Sequence, residues 1–183
     1  MIVTGVRLTG IDPSERRIAM TARQSNVQRL SVTSSKSFED VIASFEGAIA
    51  HPDMERFLND LGAAKTYDEM EGIIQGSLGT SGFMKFARFD LGAVLRKENG
   101  REKTGSVRFL IGNPLVMKEM VRHVPDAGSY TPVTVLIDER PDGVRLSYDK
   151  ISFFVSPMGN EDALRVARDL DARVENLLRE VAV

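Results

Sequence analysis

The sequence predicts an α+β domain, one antiparallel sheet whose helices are segregated from its strands. Strand-like runs at 83–91 and 104–111 flank Asn99-Gly100, and runs at 132–139 and 143–148 flank Pro141-Asp142-Gly143. Both are hairpin signals, so each pair of runs should lie antiparallel. Apolar residues at helical spacing lie outside these runs, over 38–49 and 163–181. Strands grouped between helices, instead of alternating with them, argue against a crossover-built parallel sheet.

In chain order, residues 1–26 carry Gly5, Gly10, Pro13 and an Arg-bearing polar run. They read either as a tail or as an added strand from Ile2 to Leu8, ahead of one domain over 27–183. Leu30 and Val32 alternate in the first strand. Ser37 with Asp40 three residues on resembles a capping box, and Phe38, Val41, Ile42, Phe45 and Ile49 then share one stripe of an amphipathic helix. After His51-Pro52 come scattered anchors (Met54, Phe57, Leu58, Leu61), and Thr66–Glu69 is a second capping box, opening a helix with Met70, Ile73 and Ile74 on its apolar side. Gly76, Gly79 and Gly82 read as a flexible linker into the strand Phe83–Leu91, and Lys97–Lys103 predicts a long solvated hairpin tip.

Val107-Arg108-Phe109-Leu110-Ile111 is a buried strand that Gly112-Asn113-Pro114 breaks. Asn113 is a good helix cap, and Pro114 suits a first helical turn, where its missing N–H would have no partner. The short helix Leu115–Val124 brings Leu115, Val116, Met117, Met120 and Val121 to the core, and Pro125 with Gly128 closes it. Beyond the second hairpin, Ile151, Phe153, Phe154 and Val155 form an apolar connection expected to lie on the body. Glu161 and Asp162 stand at the positive end of the last helix. Its Ala163, Ala167, Leu170, Val174, Leu177 and Val181 repeat in steps of four and three, a continuous seam that has to rest on something.

Charge is nearly balanced, 24 Lys plus Arg against 26 Asp plus Glu, so no global field draws the chain to nucleic acid or an anionic membrane. The absence of cysteine rules out disulfides, thiolate metal sites and Cys nucleophiles, and suits a cytoplasmic protein. No apolar run approaches the ~20 residues that span a bilayer. Met1–Leu8 lacks the basic-then-apolar order of a signal peptide, so a soluble protein is expected.

Candidate chemistry is sparse. His51 reads as part of a surface loop and His123 as a favourable charge in the last turn of a helix; neither has metal-ligand spacing. There is no Gly-x-Ser-x-Gly elbow, and the glycines of 76–82 lack the Gly-Lys-Ser/Thr ending of a phosphate cradle. Arg96, Lys97, Arg101, Lys103 and Arg108 gather on the first hairpin. Glu98 and Glu102 interleave with them and no aromatic platform accompanies them, so nucleic acid is not an expected partner. No catalytic residue, metal or cofactor is assigned. A ligand neighbourhood is: Met117 and Met120 as an adaptable apolar wall, with Asn113, Tyr130, Tyr148 and Asp149 supplying polar groups.

Leu30–Thr33 with Ser37–Val41, Phe109–Pro114, Pro132–Ile137 and Ser147-Tyr148-Asp149 resemble the bacterial and archaeal domain-of-unknown-function family 302, over roughly Val27 to Val183. In that family a Phe-Gly-Asn-Pro-like turn follows a strand and a Tyr-Asn/Asp pair ends a later one. Here Leu110-Ile111 precede Gly112, Asp149 is not followed by Pro, and 53–82 is longer than the simple pattern. The resemblance implies a TATA-binding-protein-like β-α-β4-α arrangement and a homodimer, and it brings no established reaction.

These readings point to a small binding or oligomerisation module, its partner an apolar or amphipathic small molecule between sheet and helices or a second copy of the chain. The alternative is an enzyme using Asn113, Tyr148 and Asp149 on a small substrate, which requires those side chains to converge in one cleft.

Overall fold

The computed structural model describes residues 26–99 and 105–183. Residues 1–25, most of the stretch read as tail or added strand, and the hairpin tip with Gly100, Arg101 and Lys103 lie outside the described residues.

Local chemistry sets the element ends. β1 (Arg29–Ser34) runs into α1 (Phe38–Ala48), where Ser37 Oγ accepts the Asp40 N–H at 3.1 Å. Asp53 and Thr66 cap α2 (Met54–Ala63) and α3 (Tyr67–Gln75) in the same way. β2 (Met84–Asp90), α4 (Leu91–Asn99), β3 (Ser106–Gly112) and α5 (Pro114–Val121) follow. A 3-10 segment (Pro125–Tyr130) leads to β4 (Val133–Arg140), β5 (Gly143–Asp149), α6 (Ile151–Val155) and α7 (Glu161–Ala182), the last capped by Asn160.

The five strands form one antiparallel sheet in the order β1-β5-β4-β3-β2. Its registers set Phe109 against Val135 against Tyr148 against Leu30, and Val107 against Ile137 against Leu146 against Val32. Because side chains alternate along a strand, these rows share one face. Val41 and Phe45 of α1 and the seam of α7 are buried in the same core cluster. The Phe45 and Phe109 rings meet at 4.8 Å between centroids, and burying one such side chain contributes about 1.5–3 kcal/mol. Phe57, Ile74 and Met84 make a second, smaller cluster under α2 and α3.

Three local expectations are corrected. The run after Phe83 leaves the sheet at Asp90, whose carboxylate accepts the Ala93 N–H at 2.8 Å, and α4 replaces the first part of the long tip. The glycine stretch is no free linker, because Ser81 Oγ donates to the Ala48 carbonyl at 2.7 Å and Gly79 N–H donates to the Phe83 carbonyl at 2.9 Å. A Cβ on Gly79 would stand 2.5 Å from the Ala50 nitrogen, so the backbones touch there. The helix after Pro114 ends at Val121, before His123. The apolar connection at Ile151 does lie on the body, as α6, with Ile151 and Val155 buried. Among the described residues no helix is long and apolar enough to cross a membrane.

Candidate functional site

The break that ends β3 also builds a cavity. Gly112 terminates the strand, Asn113 Oδ1 accepts the Leu115 N–H at 2.9 Å, and Asn113 Nδ2 donates to the Gly82 carbonyl at 3.2 Å. This cap holds the start of α5 against the incoming end of β4 and leaves about 120 Å3 between them. Val116 and Met117 of α5, the segment Thr131–Val133, Phe86 and Leu170 line it, and it opens partly to solvent. No charged side chain lines it. Thr131 Oγ1 is shut off from solvent and has no hydrogen-bond partner among the described residues, an orientation that costs free energy.

Of the six residues singled out from the sequence, Asn113 and Met117 line this cavity together. Tyr130 and Asp149 meet elsewhere, in a shallower groove of about 200 Å3 where the Tyr130 ring stacks on Phe154 at 4.6 Å. Pro132 and Val133 belong to both concavities, so one short segment separates them. Asp149 is engaged by Arg29, whose Nε and Nη2 donate to its two carboxylate oxygens at 2.7 and 2.8 Å. Those bonds, followed by the guanidinium's charge, hold the Asp149 carboxyl below the usual carboxylate range against opposing desolvation.

Met120 and Tyr148 line neither concavity and are buried. Met120, one turn further along the same side of α5, is packed into the core with no exposed surface, beyond the reach of the cavity that Met117 lines. Tyr148 shares the covered sheet face with Val144 and Leu146, and its hydroxyl donates to Asp171 Oδ1 at 2.7 Å. Asp171 Oδ1 also accepts the Ile151 N–H at 2.9 Å, so the pair anchors the start of α6 to α7. Burial first, then the neighbouring carboxylate, pushes the Tyr148 hydroxyl above the ordinary tyrosine range. Asn113, Tyr148 and Asp149 therefore fail to converge, and the enzyme reading that needed one cleft from all three loses its geometry.

His51 is held by α1 and β2. Lys85 Nζ donates to Nδ1 at 2.7 Å, which assigns the ring proton to Nε2, 2.8 Å from the Glu46 carbonyl. A larger groove beside α1, about 440 Å3, is lined by charges that pair across it: Arg88 with Glu46 at 3.3 Å and Arg96 with Asp90 at 3.0 Å. On the first hairpin, Arg108 lies over the Phe89 ring, 5.9 Å from its centroid.

Sequence reasoning missed Thr131 and Asp171. Thr131 carries no motif. Asp171 was signalled, since an acid directly after Leu170 and three before Val174 interrupts the apolar side of α7.

A search of curated proteins returns no match to this chain. Among solved structures, an uncharacterised conserved DUF302 protein from Bacillus stearothermophilus is similar in fold. It has a TM-score of 0.59 and 14% identity, covering 84% of this chain and 97% of that one. The family model for the domain of unknown function DUF302 matches residues 60–181, from the end of α2 through nearly all of α7. With two thirds of its length matched, including every element that builds the cavity, the chain belongs to the DUF302 family.

Proposed function

We propose that this chain is a binding module that holds a small, largely apolar molecule in the cavity between α5, α7 and the facing ends of β3 and β4. The observation that carries this is the cavity itself, about 120 Å3 of space walled by Val116, Met117, Pro132, Val133, Phe86 and Leu170. The space opens partly to solvent, so a ligand can enter it and remove apolar wall from water. A thioether wall adapts to varied shapes, which suits Met117 to this role. The test is titration of the protein, labelled at its methionine methyls, with toluene. The Met117 methyl should shift saturably, and Val116→Phe, which fills the space from the same wall and keeps the Met117 probe, should abolish the response while the remaining methyls keep their positions. An unmoved Met117 methyl overturns the proposal.

A second reading, self-association as a homodimer, is favoured by α4. Leu91, Val94 and Leu95 recur at helical spacing on one side of that helix, and with Phe89 they stand exposed, Val94 at 69%. A helix that turns its apolar side outward leaves that side to a partner, and we assign the partner as a second copy of the chain. Sedimentation should show a dimer that Val94→Glu converts to monomer. A wild-type monomer at high concentration removes this reading.

A further inference from the structure

We infer that the cavity beside Met117 is built for a neutral molecule of about the size of a benzene ring carrying a single hydroxyl or carbonyl group, with that group paired to Thr131. The inference rests on the cavity reading above and adds the ligand's chemical class.

Size comes first. An engineered apolar cavity of about 150 Å3 takes up benzene, so a space of about 120 Å3 fits a single ring or a short branched chain. Charge comes second. No Lys, Arg, Asp, Glu or His lines the space, and an ion moved there would lose its hydration without a counter-charge. The occupant is therefore neutral.

The polar group follows from two side chains at the wall. Thr131 Oγ1 is closed off and unpartnered among the described residues, while the threonine as a whole remains part-exposed and lines the cavity. A turn of about 120° about its Cα–Cβ bond cycles Oγ1, Cγ2 and the Cβ hydrogen through one another's positions, and carries the hydroxyl into the place that Cγ2 holds, where it reaches an occupant. The hydroxyl exchanges an unpaired state for a paired one, so a ligand with one polar atom drives the turn and a hydrocarbon does not. Asn113 supports the same chemistry: its Nδ2 spends one hydrogen on the Gly82 carbonyl, and an amide nitrogen carries two. Thr131 offers either a donor or an acceptor and Asn113 a donor, a set that recognises a hydroxyl or a carbonyl. The remaining walls recognise only shape.

Phenol and toluene make the matched pair for the test, since they differ by a hydroxyl in place of a methyl. In a purely apolar cavity toluene wins, because phenol's hydroxyl would be buried unpaired. Titrations followed at the Met117 methyl should show phenol binding wild-type protein at least as tightly as toluene. Thr131→Val should weaken phenol about tenfold and leave toluene unchanged, the size of effect expected for one lost hydrogen bond. Thr131→Ser, which keeps the hydroxyl, should restore phenol binding, and thermal unfolding of each variant establishes that it is folded. Benzoate, of similar shape but charged, should not shift the Met117 methyl. Toluene binding with no response of phenol to Thr131→Val overturns this inference and leaves the cavity reading standing. Benzoate binding as tightly as phenol overturns neutrality. If neither toluene nor phenol moves the Met117 methyl, both proposals fall.

Discussion

The hydroxyl of Tyr148 and the carboxylate of Asp171 meet at 2.7 Å inside the core, joining the inner face of β5 to α7. The same carboxylate takes the Ile151 N–H on one oxygen and the Ser152 N–H on the other, at 2.9 and 3.3 Å. One acid thus satisfies a phenol and two backbone donors, which is what makes its burial tolerable. Tyr148→Phe removes one donor and should cost roughly 1–3 kcal/mol in urea unfolding. Asp171→Ala removes the acceptor that all three donors share, leaving the Ile151 N–H only its longer bond to Tyr148 Oη at 3.3 Å, and should cost more. Equal losses for the two variants would show that the carboxylate does not organise this corner.

The same burial makes an alkaline prediction. Tyr148 is raised in the folded state, so its contribution to stability is complete below the unfolded tyrosine pKa of about 10 and is lost as pH climbs through the higher folded value. The ζ-carbon of Tyr148, followed by NMR, should show no ionisation before the protein unfolds. Reversible titration of that carbon in folded protein at about pH 10 would contradict the buried hydrogen bond.

Arg29 and Asp149 set the opposite limb. Asp149 is lowered, so its stabilisation is complete above the unfolded Asp value of about 3.9 and disappears as pH falls through the folded one. Both side chains are partly open to solvent, 63% and 34%, so screening keeps the contribution below about 1 kcal/mol. Arg29→Ala should move the Asp149 carboxyl carbon titration upward and reduce the loss of stability as pH falls below about 4. No movement of that titration would mean that the pair does not persist in solution.

Two glycines should respond oppositely to alanine. Gly79 abuts the backbone of Ile49 and Ala50, where an added Cβ would sit 2.5–2.8 Å from main-chain atoms, so Gly79→Ala should cost about 1–3 kcal/mol. Gly62 lies within α2 with nothing near its Cβ position, so Gly62→Ala should stabilise by about 0.5–1 kcal/mol. Thermal unfolding of the two variants checks both signs.

How much of this was legible follows from the range of each force. Helix caps are local, so Ser37, Thr66 and Asn113 were readable, and all three accept the N–H groups expected of caps. The α7 seam and the Pro141-Asp142 hairpin were equally plain, because periodicity and turn chemistry act over a few residues. α4 was hidden because Phe89 and Leu91 continue the alternation of β2, and only the Asp90 cap, weak beside that pattern, marks the change. The site was legible in half. The turn at Asn113 and the wall at Met117 came from one segment, whereas Thr131 reaches the cavity only because β4 pairs with β3, a contact across the fold. Tyr148 was misread for the converse reason: its parity with Leu146 places it inward, but its partner Asp171 lies on another element.

α7 comes last of the described elements, yet α1, α5, α6, β1 and β5 all lean on it. During synthesis the strands before it must wait with their apolar side uncovered until the ribosome releases that segment. The nascent chain therefore passes through an interval of exposed aggregation-prone surface, and a premature stop codon ahead of Glu161 should yield an insoluble product, where one would otherwise expect a shortened working protein.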